Sequence, residues 1–305
     1  MARKFLPKTL QEAIRYFSDE LVCIEFVAKM RWGKGPICPA CESRNVLFMA
    51  SRRVWLCKDC RKQFSVKVGT IFEDSAVPLN KWLCAIWMIV NAKNGVSSYE
   101  IARSLGVTQK TAWFMMHRIR LALQRNSLIK RLGGDVEADE SYIGGKARNM
   151  HLKDRKATRL RKAVVLGMLE RNGKVRTQVI ERAYQADMQH IIRQHVAKGS
   201  TIHTDEHAGY RGLAEDYTHN VINHARTYVQ GNVHTQGIEN FWSLLKRGIR
   251  GTYVSVEPFH LFRYLDEQTF RFNTRKDTDK DRFLLAVSTV KDRRIQYPQL
   301  IGQTS

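Results

Sequence analysis

Apolar residues recur at two different periods along this chain, and the change of period divides it. Up to about residue 125 the repeat is helical. Leu10, Ala13, Ile14 and Phe17 form one stripe behind Thr9 and Glu12, which suit a helix start. A second helix is expected over 19–30 and a third over 78–92, the latter with Trp82, Ala85, Ile86 and Ile89 on its apolar face. Two shorter helices follow. Ser97 and Glu100 open the first, Ile101, Ala102 and Leu105 are its core positions, and Gly106 ends it. Thr108 caps the second, with Ala112, Met116 and Ile119 facing inward. From residue 135 the pattern becomes mixed. Strands are expected over 136–143, 163–170, 174–181, 201–204 and 220–223, with a helix over 186–196 and a helix or loop from Tyr210. Residues 234–253, HTQGIENFWSLLKRGIRGTY, form an amphipathic helix in which Ile238, Trp242 and Leu245 repeat and Phe241 and Leu244 widen the apolar face. A last helix carrying Phe259, Leu261, Phe262, Tyr264 and Leu265 is expected to pack on the core. The end beyond Tyr297 is expected to fray.

One stretch follows neither period. Residues 38–60 hold Cys38 and Cys41, then Cys57 and Cys60, each pair C-x2-C with 15 residues between the pairs. Two short knuckles joined by a hairpin bring four thiolates to one tetrahedral Zn2+, and four thiolates leave no open position for catalysis. The zinc is therefore structural. The other two cysteines, Cys23 and Cys84, stand alone among apolar residues and read as small core residues. This usage fits a reducing cytoplasm and argues against a secreted disulfide framework.

Charge narrows the partner. The 305 residues include 51 Lys and Arg against 29 Asp and Glu, a net charge of +22. Such a balance favours a polyanion, because each neutralised phosphate releases counterions. The longest apolar run, 82–90, has nine residues, about half of a membrane span, and no basic helix carries a bulky apolar face, so no membrane partner is expected. The short helices joined around Gly106-Val107-Thr108 match a helix-turn-helix, a double-stranded DNA reader. Its second helix would present Gln109, Lys110 and Thr111 to a major groove, with His117 and Arg118 as flanking cations. The block 146–162 holds eight Lys or Arg against one Asp. Lys153, Arg155 and Lys156 lie at its centre as candidate phosphate contacts.

Acids in this basic chain stand at element ends. Asp139 lies in the first strand of the mixed region, Asp205 at the tip of the fourth, and Glu239 at the margin of the apolar face of the 234–253 helix. Lys246 lies two turns beyond Glu239, on nearly the same side, with His234 and Arg247 nearby. Phosphodiester chemistry with two divalent metals needs several carboxylates gathered in this way. Asp139 has rivals in Asp135, Glu137 and Glu140. Glu137 shares its strand face and Glu140 points the other way. Glu206 is the rival of Asp205, and Glu239 also suits a solvated surface.

These motifs together, CPAC…CKDC, ADESYIGGK, HTDEHAGY and HTQGIENFWSLLKRGIRGTY with FRFNTR after it, resemble a bacterial insertion-sequence transposase of the DDE type. The likeness runs from about residue 10 to 275. The order of strands and helices resembles that of an RNase H-like (integrase-type) fold. The resemblance implies a multidomain α+β and α/β chain with five parts. They are a helical lead (1–34), a zinc ribbon (35–69), a helix-turn-helix module (70–130), an RNase H-like core (131–280) and a C-terminal tail (281–305). Asp139, Asp205 and Glu239 would hold two Mg2+ or Mn2+ ions, with 65 residues between the first two and 33 between the second and third. Lys246 would contact a phosphate, with Arg247 beside it. The implied activity is strand cleavage by water, then attack of a 3′ hydroxyl on target DNA. The implied setting is a homodimer or higher homo-oligomer on terminal inverted repeats, in a bacterial cytoplasm at the nucleoid.

Overall fold

Helix starts are set where hydroxyl or carboxylate side chains accept orphan backbone N–H groups. Thr9 accepts from Glu12 ahead of α1 (Leu10–Tyr16), and Asp19 from Leu21 ahead of α2 (Glu20–Trp32). α3 (Leu79–Asn91) starts behind Pro78 and is buried along most of its length. Ser97 accepts the Glu100 N–H at 3.1 Å to open α4 (Ser98–Leu105), and Thr108 accepts from Thr111 at 3.1 Å to open α5 (Gln109–Leu123). The computed structural model describes residues 6–124, 131–144, 162–222, 234–254 and 256–301.

Between α2 and α3 lies a small antiparallel sheet of β1 (Val46–Met49), β2 (Val54–Cys57) and β3 (Gln63–Phe64), in that order. Aromatic rings fix it to α2. Trp32 meets Trp55 edge-on at 5.3 Å and Phe64 at 6.1 Å. Arg31 also donates to the Val66 carbonyl at 3.0 Å.

The C-terminal segment corrects the expected tail. Residues 276–305 and 1–125 form one compact unit, and 126–275 form the other. After the helix in the second unit, α9 (Asp279–Ser288) packs on α3. Its Phe283 is fully buried, stacked on Phe26 at 5.8 Å and tilted against Trp87 at 4.9 Å. A further turn, α10 (Tyr297–Leu300), buries Leu300 with Leu121 and Ile295. Up to Leu300 the segment is held because its apolar residues complete the first unit's core, a long-range fact that local polarity did not reveal.

The second unit is built on five strands ordered β6-β5-β4-β7-β8. They are β4 (Asp135–Ile143), β5 (Ala163–Glu170), β6 (Val175–Ile180), β7 (Thr201–Thr204) and β8 (Thr218–Val221). β4 pairs antiparallel with β5 and parallel with β7. Both faces are covered. α6 (Gln185–His195) packs Met188, Ile191 and Ile192 against Val136, Ala138, Leu166 and Ile202. On the other face α7 (Gln236–Gly248) and α8 (Leu261–Asn273) pack Ile238, Phe241, Trp242, Leu245 and Phe272 against Val165, Leu169 and Val175. The sheet is thus the middle of three layers. Short 3-10 turns at Ala208–Tyr210 and Leu213–Glu215 occupy the stretch expected as a helix or loop. A π turn, Ile249–Tyr253, continues α7. No helix among the described residues is long and apolar enough to cross a membrane.

Candidate active site

Strand register brings two acids level. In the parallel pair of β4 and β7, Asp135 lies opposite Thr201 and Glu137 opposite His203. The same offset carried two residues further sets Asp139 level with Asp205, just past the end of β7. Asp205 shapes its own turn, its Oδ1 accepting the His207 N–H at 3.0 Å. Glu239 comes from α7, and the Thr235 hydroxyl donates to its Oε1 at 2.9 Å.

α7 is seated on the sheet by polar contacts as well as by its apolar face. Glu137, 1% exposed, receives the Ile238 backbone N–H on Oε2 at 2.9 Å and Arg171 Nε on Oε1 at 3.0 Å. His234 Nδ1 lies 3.3 Å from the same Oε1, and Arg171 donates onward to the His234 carbonyl at 2.8 Å. Glu137 therefore neutralises a helix N-terminus and a guanidinium and has no access to the cavity. One turn on, Trp242 Nε1 donates to Asp139 Oδ2 at 2.9 Å. Gly167, opposite Asp139 on β5, permits this, since a Cβ there would fall 2.5 Å from the indole.

A cavity of about 540 Å³ opens over these groups, lined by Asp139, Glu140, Ser141, Glu239, Trp242, Ser243, Lys246, Arg247 and Arg250. Burial pushes the Asp139 carboxyl up to about 7, the charges of Glu140 and Asp205 push the same way, and the Trp242 hydrogen bond opposes them. Glu140, also on the cavity wall, accepts the Tyr210 hydroxyl on its Oε2 at 2.7 Å. Burial lowers the Lys246 ammonium from its usual value, Asp139 counteracts this, and Arg250 and Lys162 lower it further.

Two family models match this chain: an ISXO2-like transposase domain over residues 131–273 and a transposase zinc-ribbon domain over residues 18–63. It is 28% identical over 252 residues to an uncharacterized protein in transposable element ISH50 of Halobacterium salinarum, covering 77% of this chain and 84% of that relative. It is 32% identical over 101 residues to an uncharacterized transposase-like protein of Haemophilus influenzae, covering 33% of this chain and 81% of that relative. The chain belongs to the ISXO2-like transposases.

The zinc ribbon of this transposase is assembled as its spacing predicts. Cys38, Cys41, Cys57 and Cys60 bring their sulfurs within 4.8 Å of one another, and Cys38–Cys60 and Cys41–Cys57 each lie 3.6 Å apart. A tetrahedron with Zn–S bonds of about 2.3 Å has edges of about 3.8 Å, a size these sulfur separations suit. The backbone N–H of Cys60 helps to pull the Cys57 thiol down to about 7, while hydrogen bonds among the four thiols push Cys41 the other way. Among the described residues it is the one such cluster. The carboxylates of Asp139, Asp205 and Glu239 are not drawn that close.

The residues expected to face DNA fare unequally. Gln109 donates to the Ser98 hydroxyl at 2.8 Å, Lys110 is exposed with its ammonium 4.8 Å over the Tyr297 ring, and Thr111 meets the Thr108 hydroxyl at 2.9 Å. His117 and Arg118 do not flank a DNA surface. His117 is fully buried with its ring 4.3 Å from that of Trp113. Arg118 is 3% exposed and donates to the Ile71, Glu73 and Ile295 carbonyls. The middle of α5 is covered by the returning C-terminal segment, so these cations serve the core. Lys153, Arg155 and Lys156 lie outside the described residues. Lys246 is half-buried and Arg247 exposed, both on the cavity wall. Sequence reasoning placed Trp242 only on the apolar stripe and passed over Ser243 and Arg250. Ser243 and Arg250 follow Glu239 by four and eleven residues, a helical spacing that could have exposed them.

Proposed function

We propose that this protein is a metal-dependent DDE-type transposase that binds the ends of an insertion sequence, cleaves a strand and joins it to target DNA. The observation that carries this reading is the cavity in which Asp139, raised to about 7 by burial and by neighbouring acids, faces Glu239 and Lys246. A buried carboxylate repelled by Glu140 and Asp205 is a group that a cation would relieve, and oxygen donors suit Mg2+ or Mn2+. Asp139, Asp205 and Glu239 would hold the metal, which when bound activates the attacking oxygen and stabilises the leaving one. The chain's own groups supply the rest. Trp242 orients Asp139, Glu137 seats the helix that carries Glu239, and Lys246 meets a phosphate beside the acids. Arg247, exposed on the same wall, is a further phosphate contact.

The sheet order β6-β5-β4-β7-β8, with the acids on its central strands and on α7, supports an RNase H-like core. α4 and α5, joined through Gly106-Val107-Thr108, support a helix-turn-helix that reads duplex DNA through Gln109, Lys110 and Thr111. Lys153, Arg155 and Lys156 are assigned to phosphates on sequence alone. The working form is a homodimer or higher homo-oligomer on the terminal inverted repeats of an element in a bacterial cytoplasm.

The test uses purified protein, pre-cut end DNA and Mg2+, with products separated by size. Joined product is expected from the native protein, and Asp139→Ala and Glu239→Ala should abolish it. Undiminished joining by either variant would sink the site assignment. Nicking without joining would make the protein a nuclease.

A further inference from the structure

The cavity beside the acids contains more positive charge than one lysine explains. Glu239, Ser243, Lys246 and Arg250 all line it. At 100° per residue Glu239, Ser243 and Lys246 fall within about 60° of one another around the axis of α7, and the π turn that continues it sets Arg250 on the same wall. They make a single stripe, acid at one end, hydroxyl next, then two cations. Arg250 follows Lys246 by four residues, about one turn along, far enough to engage a different phosphate. Arg247 lies on the same cavity wall and adds a third cation. Among the described residues, Arg250 makes no hydrogen bond or ion pair to an acid. Lys246, Arg247 and Arg250, three cations gathered on one cavity wall against their mutual repulsion, form a pocket for a polyanion.

We propose that Arg250, with Ser243, forms a second phosphate subsite next to Lys246, receiving the backbone of the DNA strand as it leaves the acids. The subsite grips phosphodiester without reading base sequence. Arg250 supplies the planar, multi-donor grip and the Ser243 hydroxyl a neutral donor to a phosphate oxygen. The π turn Ile249–Tyr253 is the local irregularity that carries Arg250, a type of turn that recurs at functional sites. The proposal rests on the transposase reading for the identity of its ligand but not on the catalytic assignment.

The experiment measures binding of labelled duplex end DNA by the full-length protein, without added divalent metal, between about 50 and 200 mM salt. Losing one phosphate contact should lower the slope of log affinity against log salt by about 0.7–0.9. The affinity gap between native and Arg250→Gln proteins should then shrink about 2.6-fold to 3.5-fold across that range. Arg250→Lys, which keeps the charge, should recover most of the slope. Arg182→Gln, at an exposed arginine outside the cavity, should leave the slope as it is. An unchanged slope in Arg250→Gln overturns the subsite, as does an equal fall in Arg182→Gln or a failure of lysine to restore it. If Asp139→Ala still joins DNA while Arg250→Gln loses slope, the acid assignment fails and the subsite stands.

Discussion

The indole N–H of Trp242 donates to Oδ2 of Asp139 across 2.9 Å, over a strand position where only Gly167 leaves room for the ring. A helix residue thereby fixes the rotamer of a strand carboxylate. Trp242→Phe keeps an apolar ring and loses the donor. It is expected to slow single-turnover strand transfer about tenfold, the rate equivalent of a hydrogen bond to a charged group worth about 1.5 kcal/mol. DNA affinity should hardly change. Gly167→Ala forces a methyl into the indole and should destabilise by about 1–3 kcal/mol in urea. Loss of DNA binding in parallel with activity in Trp242→Phe would assign the indole to folding instead.

Stability should fall as pH rises, in a window set by Asp139. Its carboxyl is raised in the folded protein from an ordinary 3.8 to about 7, so between those values the folded state holds a proton that the unfolded state has lost. The favourable contribution is complete below about pH 4 and gone above about pH 7. At roughly 1.36 kcal/mol per unit it amounts to a few kcal/mol at most, on the order of 4. Asp139→Asn removes the repulsion and should unfold at higher urea than the native protein at pH 8. The gap should narrow toward pH 5. Equal midpoints at pH 8 would contradict the buried, repelled carboxylate. The gain in stability with loss of function is what a preorganised metal site predicts.

Zinc should hold the ribbon. Its three strands are two to four residues long and cannot supply a sufficient core, so the tetrad substitutes for one. One equivalent of zinc per chain is expected by indicator release with a thiol-blocking mercurial. Cys57→Ser should bind none and become sensitive to proteolysis between residues 38 and 60. Full protease resistance in the metal-free protein would refute a folding role.

Two cations of α5 should separate cleanly. Arg118→Ala strands three carbonyls, of Ile71, Glu73 and Ile295, and should cost about 2–4 kcal/mol in stability with Lys a poor substitute. Lys110→Ala should leave the urea midpoint within about 0.5 kcal/mol and weaken DNA binding. The reverse pattern would return Arg118 to the DNA surface.

The contrast shows what the sequence can disclose. Four cysteines at C-x2-C spacing specify a zinc tetrad by covalent reach alone, and the sulfurs meet as that spacing requires. The strands carrying Asp139 and Asp205 were legible from alternation and apolar runs to within two residues, and the face that Asp139 shares with Glu137 followed from period two. Three features depended on contacts distant in sequence. Arg118 has the composition of a surface cation and is buried because residues near 295 return to cover α5. Glu137 and Asp139 are equivalent by periodicity, and only Arg171 and the start of α7 separate a structural acid from a cavity acid. Trp242 fitted the apolar stripe so well that its polar end went unread.

Glu137 offers the sharpest test of that separation. It is buried, it accepts the Ile238 N–H, and it pairs with Arg171, which is itself 14% exposed along its side chain. Glu137→Ala leaves a guanidinium and a helix N-terminus without their acceptor, and breaking a buried pair in this way costs about 3–5 kcal/mol. Glu137→Gln keeps an oxygen for the Ile238 N–H and removes the charge, so a smaller loss is expected. Because Gly237 sits against both Leu169 and Glu137, at 2.6 and 2.8 Å from where a Cβ would be, Gly237→Ala should imitate the same displacement of α7. All three variants should lose activity in proportion to stability and regain it when cooled or when stabilised by bound DNA. A metal ligand would behave otherwise. If Glu137→Gln is fully folded by its urea midpoint and yet inactive at every Mn2+ concentration, Glu137 belongs with Asp139 and Asp205 in the metal site and not to the seating of α7.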